Sequence, residues 1–415
     1  MIYYTIFLCL PQRLTSFILF AIIIFMLNKN KPTADTNGQP QNLNSDFFAV
    51  KEPKVVDEKK EKRSKKNPFS KLTKKQKIIA GVITAVILIG GCATAFALTR
   101  EKPKPAPIAD QPKIEEAPKT TEPSKTTGLE VPVEYNQRTV TGIQIENSPD
   151  ARPQSGLKDA DVIYEAVAEG GITRFHAIFK DNLPEYVGPV RSVRPYYLDF
   201  LGPYDGAIVH VGGSPQALAE IRAQGIKDLD QQSGANSSAY WREKSRYAPH
   251  NMYTNVVKLK EIEKNNGWTS TYEGFVRGGE DKTSATPNAK TVNIRMSSAN
   301  YNVVYNYDAA TNTYLRNEGG RPHMDAKSNA QLAPKVLVVP VVRRTQDGIY
   351  SVYAINDGGK VLIFQNGTTT EGTWSKAGRK AQFKFTGADG QPLKLAPGQT
   401  WVTLAASAGD VTFAP

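Results

Sequence analysis

Residues Ile78–Leu98 (IIAGVITAVILIGGCATAFAL) form a run of 21 residues without a charge, the length a helix needs to cross roughly 30 Å of hydrocarbon. Such a segment divides a chain, because the sequence on its two sides must fold in different compartments. Lys71, Lys74, Lys75 and Lys77 crowd its N-terminal flank, whereas Arg100, Lys102 and Lys104 beyond it are diluted by Glu101. The positive-inside bias therefore predicts a single-pass protein of the cell membrane, its N-terminus cytoplasmic and its C-terminal domain extracytoplasmic.

Within the run, Ile89-Gly90-Gly91-Cys92 has the form of a lipoprotein cleavage site. Small residues are also ordinary in membrane helices, and the run stays apolar through Ala95, Phe96 and Leu98, where a processed lipoprotein turns polar. A transmembrane anchor and lipidation at Cys92 are thus two readings of one segment. Residues 1–77 read as a basic, largely disordered cytoplasmic tail. Its first 25 residues, apolar but broken by Pro11, Gln12 and Arg13, are either sequence upstream of a true start at Met26 or a second membrane segment. Residues 99–130, rich in proline and balanced in charge, read as an extended extracytoplasmic tether.

The formal charge of +12 has to be located before it means anything. Residues 51–77 hold twelve Lys/Arg against four Asp/Glu, so the tail supplies +8 of it. A basic tail on a nearly neutral fold excludes nucleic acid as the domain's ligand. The two cysteines, Cys9 and Cys92, both lie in the N-terminal sequence. Residues 131–415 consequently have neither a disulfide framework nor a cysteine metal site.

Two alternating runs, VIYEAVAE and ITRFHAIFK, flank Gly170-Gly171 and predict a hairpin. With a two-residue turn, Val167 would face Arg174 and Glu165 would face His176, so that Glu165, Glu169, Arg174 and His176 share one side. That quartet is either a set of cross-strand ion pairs or part of a site. Further on, Arg191 and Arg194 share a face if the backbone turns at Pro195, which would make an anion clamp; the other reading pairs each with a nearby acid. A short strand ending at His210, then Gly212-Gly213, Ser214 as N-cap and Pro215 at the first helical position, gives a helix start able to bind an anion. That helix is predicted to end at Gly225, and Thr254 to cap the next one.

The loop 231–251 carries Tyr240, Trp241, Arg242, Arg246, Tyr247, His250 and Asn251, long and aromatic for an uncommitted connection. Residues 278–290 mark an internal boundary, after which the pattern is almost wholly β. It is interrupted by Arg321-Pro322-His323-Met324-Asp325, which echoes Pro249-His250-Asn251 and points to one shared cleft. No spacing of His176, His210, His250, His323 and Asp325 matches a metal-binding motif, and no cofactor is expected.

Thr141–Asn147, Ala160–Arg174, Gly188–Pro195, Gly212-Gly213-Ser214, Pro249-His250-Asn251, His323-Met324-Asp325 and Gly372-Thr373-Trp374 together resemble the YerB-like family of bacterial lipoproteins, over nearly all of Val131–Pro415. The resemblance implies an α+β unit of three-layer β-β-α type, displayed outside the membrane. Its N-terminal α/β half would be 131–280 and its mostly β half 281–415. Family members carry their lipobox near the start of the chain, whereas Cys92 follows a long basic segment. The family brings no known activity. The expectation is a binding or scaffolding module for an anionic or glycan envelope component or a partner protein. The alternative is a hydrolase of an envelope polymer, with Glu165 or Glu169 as acid or base; at about 3.3 Å per residue these two are ~13 Å apart, too far for a glycosidase pair.

Overall fold

The structure, a computed structural model, describes residues 119–415. The expected membrane span Ile78–Leu98, Cys92, the basic tail and most of the expected tether lie outside the described residues. Among the described residues no helix is long and apolar enough to cross a membrane.

The chain opens with β1 (Thr121–Pro123) and β2 (Glu130–Pro132), which pair with each other, so the last residues assigned to the tether belong to the fold. They are fastened from below. Thr126 Oγ1 donates to Asp161 Oδ2 and Thr127 Oγ1 to Asp181 Oδ2, each at 2.7 Å and buried. The N-terminal half continues with β3 (Thr141–Glu146), β4 (Val162–Glu169), β5 (Ile172–Phe179), α1 (Pro195–Leu201), β6 (Ala207–His210), α2 (Pro215–Gln224), β7 (Lys227–Asp230), β8 (Tyr240–Arg242), β9 (Met252–Thr254) and α3 (Val256–Asn265). The C-terminal half is β apart from two single 3-10 turns: β10 (Thr291–Ile294), β11 (Val303–Asp308), β12 (Thr313–Glu318), β13 (Arg321–Pro322), β14 (Met324–Asp325), β15 (Ala330–Gln331) and β16 (Val336–Pro340). It closes with β17 (Arg344–Asp347), β18 (Tyr350–Tyr353), β19 (Gly358–Gln365), β20 (Thr368–Ser375), β21 (Lys384–Thr386), β22 (Thr400–Thr403) and β23 (Val411–Ala414).

Both halves build one twelve-stranded sheet, in the order β21-β20-β19-β16-β22-β4-β5-β3-β6-β7 with the β17–β18 hairpin beside β4. The seam is the parallel pair β22–β4, where Trp401 lies opposite Ile163 and Thr403 opposite Glu165. The class is α+β, mostly strands with few helices. Both faces of the sheet are buried, as expected where each is covered by other elements. Tyr164 and Val338 pack with α1 and α2 residues such as Phe200 and Ile221 on one face. Phe175 and Val339 pack on the other with Leu259 of α3 and with Tyr305 and Tyr314 of a five-stranded sheet, β13-β12-β11-β10-β23.

Local signals held where chain chemistry decides alone. α2 starts at Pro215 with Ser214 accepting from Ala217 N and ends at Gly225, whose φ of 60° is the left-handed cap that glycine favours. For α3 the cap is Asn255, not Thr254; Asn255 Oδ1 accepts from Lys258 N at 3.1 Å, while the Thr254 hydroxyl is turned to Ala239 O. The β4–β5 hairpin forms, but its register differs from the expected one. A bulge at Ala168 puts Val167 opposite Thr173, Ala166 opposite Arg174 and Glu165 opposite Phe175. One extra residue reverses which side every later side chain faces. Glu165 therefore lies on the opposite side of the sheet from Arg174 and His176.

Candidate functional site

The expected quartet is split by that bulge. Only Glu169 and Arg174 still meet, at 2.7 Å, and Arg194 joins the same carboxylate at 3.0 Å. Burial works to raise the Glu169 pKa, but the two guanidiniums outweigh it and hold the carboxyl below its usual range. His176 accepts from Gln144 Nε2 at 2.6 Å and faces the α1 side, where burial pushes it down to about 3, so it is a neutral core histidine. Glu165 is fully buried with both oxygens engaged: Arg316 Nη2 at 2.9 Å on one, Trp401 Nε1 at 3.1 Å on the other. A carboxylate so committed has no oxygen left for acid or base work.

Arg191 and Arg194 do not form a clamp. Arg194 goes to Glu169 and stacks 5.1 Å from the Tyr350 ring, while Arg191 lies 3.3 Å from Glu146. Alternation along the extended 187–193 segment separates them before Pro195 can turn the chain. His210 is buried between Gly212 O at 2.8 Å and Asp228 at 3.0 Å. Ser214 caps α2 and, with Arg194, borders a cavity of about 420 Å3 beside α1 and β18. Arg191, Arg194, His210 and His250 thus do not share one cleft.

A narrower convergence does exist, on the loop 147–156. Glu146, at the end of β3, is buried and unites three groups: Ser148 Oγ donates to Oε1 at 2.8 Å, His250 Nδ1 lies at 2.9 Å and Arg191 Nε at 3.3 Å from Oε2. Asn251 braces the His250 loop by accepting from Arg242 Nη1 at 2.8 Å and donating to Glu243 O and Arg246 O. Arg246 then reaches across, its Nη1 donating to Ala151 O at 3.0 Å. From the other side Asp325 accepts from Gly156 N at 2.7 Å, and Ala326 N donates to Gln154 O at 2.7 Å. The two Pro-His loops therefore hold one and the same loop, without their histidines lining a common cavity.

Between the 147–156 loop and β12–β14 lies a cavity of about 490 Å3, bordered by Arg152, Pro153, Glu318, Arg321, His323 and Met324. Glu318 is buried, accepts from Asn147 Nδ2 at 2.6 Å and pairs with Arg152 at 3.2 Å, while Oε2 has no hydrogen-bond partner. Burial pushes its carboxyl up to about 7 against the pull of Arg316. His323 accepts from Arg316 Nε at 2.9 Å, and its Nε2–H donates to Gln154 Oε1 at 2.8 Å. Burial, then Arg316 and Arg152, hold it well below the usual range, so the ring is neutral. Arg321 is exposed and has no carboxylate partner among the described residues. Two arginines face this cavity against one carboxyl only partly ionised near neutrality. Arg316 behind it is neutralised by Glu165.

Glu146, Arg152, Gln154, Arg316 and Glu318 carry this arrangement, and none stands out in the sequence. Arg152 and Gln154 sit in a stretch that reads as plain turn, and Glu318 precedes Gly319-Gly320 as an ordinary hairpin residue. Among the described residues no group of three or more His, Cys, Asp or Glu side chains could hold a metal ion.

Two family models match the chain. "Protein of unknown function (DUF3048) N-terminal domain" covers residues 126–269, and the corresponding C-terminal domain covers residues 292–402. The chain is 33% identical over 286 residues to "Putative lipoprotein YerB" of Bacillus subtilis (strain 168), spanning 67% of this chain and 84% of that protein. The crystal structure of YerB from Bacillus subtilis superposes with a TM-score of 0.63 at 28% identity, covering 71% of this chain and all of that one.

Proposed function

The chain belongs to the YerB-like family of DUF3048 proteins, and from that premise we propose that it is a membrane-anchored, extracytoplasmic module that binds an anionic component of the cell envelope. The relative's name as a lipoprotein supports an anchored protein, and the apolar run Ile78–Leu98 with its lysine flank supports this topology. The observation that carries the binding reading is the cavity between Arg152 and Arg321. Arg152 is held in place by Asn147 Oδ1 at 3.1 Å and Asn300 O at 2.8 Å, so the site is preorganised. Arg321 brings an unshared cation, and the one lining carboxyl, Glu318, is paired with Arg152 and raised by burial. An oxyanion entering here meets Arg321 unpaired and shares Arg152 with Glu318.

The hydrolase reading has lost its named carboxylates, Glu165 to Arg316 and Glu169 to Arg174 and Arg194. Binding is tested with the full-length protein and purified wall sacculi, before and after removal of their phosphate-bearing polymers. Retention on intact sacculi that drops on stripped ones supports the reading; equal retention on both contradicts it.

A further inference from the structure

A second cavity, of about 340 Å3, is lined in part by the same two chain segments as the first. Pro153 and Met324 border the first cavity, Ser155 and Ala326 the second. On both segments, residues only two positions apart border one cavity and then the other. Arg246, which borders the second, donates to carbonyls of the loop that borders the first.

The second cavity has different chemistry. Its wall is the half-buried ring of Tyr186, backed by Tyr253 at 4.7 Å and Trp241 at 5.4 Å between ring centres. Lys327 Nζ stands 4.9 Å from the Tyr186 centroid and has no carboxylate partner among the described residues. The Tyr186 hydroxyl donates to Glu243 Oε2, and that bond, with the Ser245 donors, holds the Glu243 carboxyl down to about 2. An aromatic ring with a fixed carboxylate at its edge and only an exposed lysine side chain, Lys327, over its face suits a flat, hydroxyl-bearing ring that takes the ammonium's place, the face meeting C–H groups and the carboxylate and ammonium the hydroxyls. A bare phosphate chain would use the ammonium and leave the ring idle.

Resting on the anion-binding reading above, we infer that the ligand is an anionic glycan of at least two linked units, its charged group between Arg152 and Arg321 and a neighbouring sugar ring on Tyr186. The test uses the full-length protein in detergent micelles and uronic acid oligosaccharides of one, two and four rings, with linear polyphosphate as the ringless probe. Affinity is expected to rise about tenfold from one ring to two. Tyr186→Ala abolishes that rise, and Tyr186→Phe, which keeps the ring, retains it. Arg152→Ala/Arg321→Ala weakens every oligosaccharide. The inference is overturned if affinity does not depend on ring number, if Y186A keeps the full rise, or if polyphosphate gains as much with length. Failure of all probes, the single ring and polyphosphate included, to bind the unaltered protein would instead overturn the underlying anion reading.

Discussion

His250 holds its Nδ1 2.9 Å from Oε1 of Glu146, and the side chain of the histidine is 24% exposed while that of the carboxylate is only 4% exposed. One buried carboxylate thus fixes a surface imidazole, the Arg191 guanidinium and the Ser148 hydroxyl at once. The loop that borders the proposed site begins at this point, so Glu146 anchors its first residues.

Removing the anchor and removing what it holds should differ in cost. Glu146→Ala leaves Ser148 without its acceptor and Arg191 without its carboxylate partner and is expected to lower stability by about 1–3 kcal/mol. His250→Ala removes a partly exposed partner and should cost less than about 1 kcal/mol. Chemical denaturation of both variants checks the order; equal costs would mean that Glu146 acts through His250 alone.

The Glu165–Arg316 pair is fully buried at 2.9 Å and links the seam strand β4 to β12 of the second sheet. Arg316→Met alone strands a buried carboxylate and is expected to cost about 3–5 kcal/mol, whereas Arg316→Met with Glu165→Leu should recover most of that loss. Denaturation midpoints of the single and double variants measure the recovery.

Two buried acids make stability depend on pH. Glu318 is raised from 4.5 to about 7 by burial, and Asp161 from 3.8 to about 7 by burial and then by Asp181. A carboxyl whose folded pKa lies above its unfolded value binds more protons when folded, so the slope of stability against pH is negative between the two values. Their contribution is fully present below about pH 4 and is lost as pH rises toward 7. Glu318→Gln and Asp161→Asn should each flatten the profile of the melting temperature between pH 4.5 and 7.5. Variants with the wild-type slope would place the titration elsewhere.

What the sequence showed and what it hid divide along one physical line. Capping chemistry is local, so Ser214, Pro215 and Gly225 marked α2 to the residue. The hairpin at Gly170-Gly171 was equally legible, but a bulge one residue long reversed the facing of Glu165, because nothing in VIYEAVAE distinguishes a paired residue from an extra one. Burial on both faces was hidden too: Arg174 and His176 alternate like solvent-facing residues, yet both are enclosed by the α1 layer. The seam between β22 and β4 joins residues far apart in the chain, and no local pattern announces such a pair. For the same reason Arg152 and Arg321, brought together from the two halves, were not recognisable as one site, and the one cleft expected for His250 and His323 is replaced by a shared hold on the 147–156 loop.

The account turns on whether Arg152 and Arg321 bind anions together. The direct measurement is retention of the full-length Arg152→Ala/Arg321→Ala variant on wall sacculi that keep their phosphate-bearing polymers, beside the unaltered protein and at rising salt. A charge-assisted contact contributes about 1.5–3 kcal/mol, so affinity should fall at least about tenfold, with a weaker salt dependence, in a variant shown to be folded by its cooperative melting. Undiminished, equally salt-sensitive retention of the folded variant would contradict the account.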